Sequence, residues 1–282
     1  MGSARLSVST VVFPENEVLC NKHLEWLRSL GVESVEMSSD DGRACHDDRD
    51  TLDDVRRTAD RAAVRLASMH AWCDLNGVDA VCRTAAELGV GLVVVHCRHD
   101  DLTAAFERQV ELARAYVRQC SELGIVPTVE NSSRQPIEPF AALFEAVPEL
   151  KLTLDVKHAC KPETLGLTHK DYLQRLGDRA ANFHVSGINR ARDPVTGDGT
   201  PPGDDLIDWH ELAEDLARRG YSGLITIESH LPSYLSREEQ EEAYADLPDV
   251  ATPENTIPER LSSYVVGFYR EHLDAALAPE AQ

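Results

Sequence analysis

The 282-residue chain is short of positive charge. Twenty-eight Lys and Arg stand against 49 Asp and Glu, a formal net charge of −21 with a pI near 4.8. Such a surface repels phosphate backbones and anionic lipid, so neither nucleic acid nor a membrane is expected as a partner. Long apolar runs are missing too: none approaches the roughly 20 residues that span a bilayer. The opening residues, MGSARLSVSTVVFPEN, carry neither a long apolar stretch nor a small-residue cleavage site, which argues against a secretory signal and for the cytoplasm. The seven cysteines, at 20, 45, 73, 82, 97, 120 and 160, form no Cys-x-x-Cys pair. They read as free thiols in a reducing compartment, not as a disulfide framework. A glycine-rich phosphate loop is absent from the first strand–helix turn, FPENEVLC, which counts against a doubly wound dinucleotide fold. No run of Pro, Gly or Ser divides the chain, so residues 1–282 read as one domain.

What is present is alternation. With 42% hydrophobic and 27% charged residues, the chain has ample material for a core. Leu6–Phe13, Val32–Met37, Leu66–His70, Gly91–Cys97, Ile125–Asn131, Leu150–Val156, Ala181–Val185 and Gly223–Ser229 are β-branched, apolar runs that read as strands. Each is followed by a segment of helical period: Val18–Leu30, Thr51–Ala63, Leu75–Leu88, Leu102–Leu123, Pro136–Ala146, Leu167–Leu176, Leu206–Arg219 and Pro258–Leu277. Gly31, Gly89 and Gly124 stand where helices should stop. Eight strand-then-helix units in a chain of this length predict an α/β fold, the (β/α)8 TIM barrel. The acidic stretch 231–257, beyond ordinary loop length, is expected as a lid or an oligomer arm, or else as a solvated helix.

The active site of such a barrel lies at the C-terminal ends of its strands. The last residues of the predicted strands are His70, His96, Glu130, Asp155, His184 and Glu228, with His158 three residues beyond Asp155. Singly, each carboxylate would read as a helix cap or a surface strand end. Four ligand-type residues at four successive strand ends reverse that reading, because buried carboxylates at one mouth repel each other unless a cation joins them. Glu130, Asp155, His184 and Glu228 therefore predict one divalent ion, with Mn2+ ahead of Co2+, Mg2+ or Zn2+ for an oxygen-rich set with one nitrogen. His70 and His96 would add nitrogen ligands beside Glu130, or contact substrate, or sit as satisfied core histidines. Trp72 suits stacking on a sugar ring or packing at the rim. His23, His46, His99, His169, His210, His230 and His272 have no role that spacing supports.

These residues resemble the xylose isomerase-like TIM barrel superfamily, which includes sugar phosphate isomerases and epimerases, inosose and dehydroshikimate dehydratases, and AP endonuclease family 2. The resemblance runs through Glu130, the Asp155-Val-Lys-His158 motif, and His184 followed by Arg190. It extends to PPGDDLIDW (Pro201–Trp209) and the strand ending in Glu228. It implies that Glu130, Asp155, His184 and Glu228 hold one metal, that Glu130 and Glu228 also shuttle protons, and that His158 and Arg190 contact substrate oxygens. The implied reaction is isomerisation or epimerisation of a sugar or sugar-like ketone, by proton transfer next to a carbonyl through a metal-stabilised enediolate. The implied substrate is a small sugar or cyclic polyol ketone, and the implied assembly a homo-oligomer. A dehydratase acting on an inosose or a dehydroshikimate-like substrate uses the same base and metal. An endonuclease IV-type reading matches His70, His96, Glu130-Asn131 and Asp155-x-x-His158. It lacks the Asp-x-His of a third zinc, since Asp198-Gly199-Thr200 stands there, and the charge of −21 opposes it. The family turn commonly has glycine where this chain has Asp205.

Overall fold

The computed structural model describes residues 4–13, 21–39, 49–132, 135–160, 168–188, 198–203, 205–229 and 257–277. Ten strands run in chain order: β1 (Arg5–Ser9), β2 (Ser34–Ser39), β3 (Arg65–Asp74), β4 (Leu92–His96), β5 (Val126–Glu130), β6 (Lys151–Asp155), β7 (Ala180–Val185), β8 (Gly187–Ile188), β9 (Asp198–Thr200) and β10 (Leu224–Ile227). Eight of them close a parallel barrel in the order β1-β2-β3-β4-β5-β6-β7-β10, and β8 pairs with β9 in a small antiparallel hairpin. The chain is a (β/α)8 TIM barrel. Closure joins the first strand to the last: Arg5, Leu6, Ser7 and Val8 pair with Leu224, Ile225, Thr226 and Ile227.

The helices are α1 (Asn21–Ser29), α2 (Arg49–Ala62), α3 (Val78–Leu88), α4 (His99–Ala104), α5 (Phe106–Leu123), α6 (Ile137–Ala146), α7 (Val156–Ala159), α8 (His169–Leu176), α9 (Trp209–Arg218) and α10 (Ile257–His272). None among the described residues is long and apolar enough to cross a membrane. Gly89 and Gly124 end α3 and α5 at φ +71, the left-handed conformation a helix stop needs. Among the described cysteines, 82, 97, 120 and 160 are free thiols.

Strand alternation sorts the side chains. Val93, Val95, Val129, Leu152, Leu154, Phe183, Val185, Ile225 and Ile227 face the helices and join their apolar faces in the main core. Their neighbours point into the barrel. There Ala67, Leu92, Val94 and Leu224 form a separate apolar floor. A layer of hydroxyls and amides follows: Ser68, Thr128, Thr153, Asn182 and Thr226, all fully buried. One more two-residue step up each strand reaches His70, Glu130, Asp155, His184 and Glu228.

Several boundaries differ from the sequence reading; the last helix, for one, stops at His272 instead of Leu277. The third strand does not stop at His70 but continues to Asp74, with its register on β4 shifting between those residues. The following helix therefore begins at Val78. The predicted helix Leu102–Leu123 is broken at Ala105, whose φ −147, ψ 47 separates α4 from α5. The first strand ends at Ser9, where a 3-10 turn over Thr10–Val12 begins. The stretch 231–257 lies outside the described residues except for Ile257, which opens α10.

Candidate active site

Six of the predicted residues meet at the C-terminal mouth of the barrel. The register does this directly: His96 pairs with Glu130, and Asp155 with His184. Asn131 fixes the relative height of two strands, its amide donating to the Asp155 carbonyl at 3.0 Å and accepting from the Asp155 N–H at 2.8 Å. One ligand atom from each of Glu130, Asp155, His184 and Glu228 lies within 4.8 Å of the others. All four residues are buried.

His70 and His184 bridge the two glutamates. His184 Nδ1 lies 2.8 Å from Glu130 Oε1 and 3.4 Å from Glu228 Oε2. His70 Nε2 lies 3.1 Å from Glu130 Oε2, and its Nδ1 lies 2.9 Å from Glu228 Oε1. Burial opposes protonation of His70, but the charges of Glu130 and Glu228 and the hydrogen bonds to them outweigh it and raise its pKa to about 10. Burial likewise opposes protonation of His184, and Glu36, Glu228 and Glu130 override it, carrying the pKa well above the ordinary range. In return, both glutamates are held well below the usual carboxylate range despite burial, Glu130 by His70 and His184 and Glu228 by His184 and Lys157. His96 goes the other way. Burial lowers its pKa to about 4, so it is neutral and its Nε2 accepts from His70 Nε2 at 3.0 Å. The protein alone thus balances its buried carboxylates with protonated imidazoles.

His158 is half-buried. Its backbone N–H donates to Asp155 Oδ1 at 2.8 Å, capping α7, and its Nε2 is 3.6 Å from Asp155 Oδ2. Trp72 lies at the rim, 55% exposed, with its indole stacked on His70 at 5.2 Å between centroids and its Nε1 donating to Ser38 Oγ at 3.0 Å. Arg190 lies outside the described residues. Asp205 ties the hairpin to α9, accepting from the Ile188 N–H at 3.0 Å and from Trp209 Nε1 at 2.9 Å.

Two site residues escaped the sequence reading. Glu36, on β2, is fully buried below the mouth. Its sequence signal is a carboxylate inside the predicted strand Val32–Met37, where the period-two pattern turns it inward. Lys157 is the third residue of Asp155-Val-Lys-His158. Its ammonium lies 3.4 Å from Asp155 Oδ2 and 3.7 Å from Glu228 Oε2. A lysine between two site residues in sequence was the available clue.

The donors suit a divalent cation. Three carboxylates and one imidazole converge, and Asp155 Oδ2 is buried without a hydrogen bond, with the Lys157 ammonium at 3.4 Å and His158 Nε2 at 3.6 Å, so it has acceptor capacity left for an ion. Two further groups fall within the same 4.8 Å limit: His70, His96 and Glu130, and Glu36, His70, His184 and Glu228.

The sequence model of the family described as xylose isomerase-like TIM barrel matches residues 24–251. The chain belongs to the xylose isomerase-like TIM barrel family. Members with this fold among solved structures include D-psicose 3-epimerase from Clostridium cellulolyticum, solved with D-tagatose. It is 16% identical with a TM-score of 0.70, and the match covers 95% of this chain and 99% of that one. An L-ribulose 3-epimerase is 15% identical with a TM-score of 0.64, covering 97% and 95%. The probable 3-DHS dehydratase AsbF of petrobactin synthesis in Bacillus anthracis is 12% identical with a TM-score of 0.60, covering 86% and 96%. No curated protein sequence matches the chain.

Proposed function

We propose that this xylose isomerase-like barrel is a metal-dependent isomerase or epimerase of a small sugar or cyclic polyol ketone. The observation that carries the reading is the convergence of Glu130, Asp155, His184 and Glu228 within 4.8 Å at the barrel mouth. These four would hold one divalent ion, Mn2+ ahead of Co2+, Mg2+ or Zn2+. When bound, the ion supplies Lewis-acid stabilisation of the negative charge that develops on adjacent substrate oxygens.

The chain's own residues supply the proton transfer. Glu130 and Glu228 flank His70 and His184, so they face the mouth from two sides. Both are carboxylates in the metal-free site, and because His70, His184 and Lys157 lower their basicity, proton uptake requires those contacts to loosen when ion and substrate bind. One takes the proton from the carbon next to the carbonyl, and the other returns a proton to the opposite face or to the neighbouring carbon. Burial excludes water, which keeps the carbanionic charge from being quenched at random. His158, at the edge of the site, donates to a substrate oxygen, and Arg190 is assigned the same task. His70 and His96 line the substrate side, and Trp72 offers its exposed face to the ring of the sugar. The protein is assigned to the cytoplasm as a homo-oligomer.

The epimerase and dehydratase neighbours support two outcomes of one proton abstraction. The resemblance favours the isomerase or epimerase outcome over loss of water, since some dehydratases of the family carry an amide where this chain has His184. The test is a panel of ketoses and cyclic ketones in D2O with Mn2+-loaded protein. Deuterium at the carbon next to the carbonyl, with a rearranged product and no loss of water, is expected. Glu228→Gln should abolish both exchange and turnover, and full activity in that variant refutes the assignment. Elemental analysis accompanies the panel. One ion per chain is expected, whereas two or three zinc ions would bring His70, His96 and His158 into ligation and favour phosphodiester hydrolysis.

A further inference from the structure

Glu36 stands outside the four-residue set yet touches it. Its side chain is fully buried. Oε2 accepts from Ser68 Oγ at 2.8 Å, from Asn182 Nδ2 at 3.3 Å and from His184 Nε2 at 3.2 Å. Asn182 is itself fixed, its Oδ1 accepting from Thr226 Oγ1 at 2.9 Å. These partners come from β3 and β7, with β10 bracing Asn182, so the carboxylate is held by the barrel wall before any ion arrives. Oε1 lies 3.2 Å from His184 Nε2 and 4.0 Å from His70 Nδ1, and has no hydrogen-bond partner. No Lys or Arg among the described residues pairs with Glu36. The unmet Oε1 is costly for a buried carboxylate, and only the His184 and His70 imidazoles offset the charge.

We infer that Glu36 is a positioning residue that orients His184 for metal ligation. The contact at Nε2 places the His184 proton there. It leaves Nδ1 turned toward Glu130 and Glu228, at 2.8 Å and 3.4 Å. Ligating histidines commonly carry a carboxylate on the second nitrogen, which fixes the ring and raises its basicity; losing that partner weakens metal affinity by roughly 10–100-fold. Ser68, Asn182 and Thr226 are then the support of the support. The inference rests on the metal reading of the site and adds to it a residue from the opposite wall.

The test is Mn2+ titration by calorimetry on chelator-treated protein, alongside thermal unfolding of the metal-free forms. The wild type, Glu36→Leu and Glu36→Gln are compared, each also on a His184→Gln background. Glu36→Leu is expected to weaken Mn2+ binding about 10–100-fold with little change in the metal-free Tm, because the pairing lost with His184 is offset by removal of the buried, unmet Oε1. Glu36→Gln keeps an acceptor oxygen for Nε2 and is expected to lose less than about tenfold. On the His184→Gln background neither substitution should weaken binding further. Wild-type affinity in Glu36→Leu overturns the inference. So does a metal-free Tm that falls in step with affinity, which marks a purely structural residue. Equal losses in the Gln and Leu variants on both backgrounds also overturn it, because Glu36 is then itself a ligand. If Glu36→Leu does not fold, the Gln variant on the two backgrounds decides by the same criterion. Absence of Mn2+ binding in the wild type overturns the metal reading itself, and the role of Glu36 with it.

Discussion

In the metal-free protein, stability should depend on pH through His70. Its pKa is raised from 6.5 to about 10 by Glu130 and Glu228 against the effect of burial. A group whose folded pKa is raised contributes stability that is fully present below the unfolded value and is lost as pH climbs through the folded value. The window is therefore about pH 6.5 to 10, and the metal-free protein should weaken across it. At about 1.4 kcal/mol per pH unit, the interval from 6.5 to about 10 sets a ceiling of roughly 5 kcal/mol. His184 competes for the same two carboxylates, so the share that His70 carries is smaller, on the order of 1–2 kcal/mol. For a chain of this size that is a fall of a few degrees in Tm. The assay is thermal unfolding followed by circular dichroism in excess chelator, at steps from pH 6.5 to 10, with His70→Asn as control. The variant should show a shallower slope. Saturating Mn2+ should turn the trend around over the lower part of the range, because ligation requires His184 to give up its proton. A metal-free Tm that is flat or rising across the window, or a slope unchanged in His70→Asn, refutes the ion-pair account of the site.

Two further outcomes follow from single contacts. Lys157→Met removes the ammonium beside Asp155 and Glu228 and should tighten Mn2+ binding by about tenfold, or 1.4 kcal/mol; unchanged affinity in the titration would show that Lys157 does not compete with the ion. Tyr116→Phe deletes a buried hydroxyl that donates to the Val93 carbonyl at 2.9 Å. Thr128 Oγ1 also donates to that carbonyl, so the loss should stay near 1 kcal/mol in urea unfolding, and a loss above about 3 kcal/mol would mean the hydroxyl holds more than this bond.

The barrel was readable in the sequence because parallel strands covered on both faces are short, β-branched runs, and Gly89 and Gly124 mark the helix ends between them. The site was readable for a related reason. Glu130, Asp155, His184 and Glu228 each interrupt an apolar run at its last turn, where polarity has no structural excuse. Glu36 breaks the same rule in the middle of its run, and a mid-strand carboxylate looks like the exposed face of an edge strand until closure shows there is no edge. The overrun of β3 to Asp74 was hidden because Ala71-Trp72-Cys73 has no period that separates strand from loop. The break at Ala105 carries no Pro or Gly to announce it; alanine there favours helix, and the backbone turns regardless.

Closure between β1 and β10 has a bearing on how the molecule is made. The candidate ligands are strewn along the chain from Glu130 to Glu228, with Glu36 a further 94 positions upstream of Glu130. A nascent chain emerging from the ribosome has no complete set of donors until the final strand has been synthesised and has zipped against the first. An ion captured by that set would reward only the finished ring, by about 2.7 kcal/mol at a hundred times its dissociation constant. Partly assembled barrels would gain nothing from it. Metal supply would then act as a proofreader of biogenesis, sorting completed molecules from truncated ones.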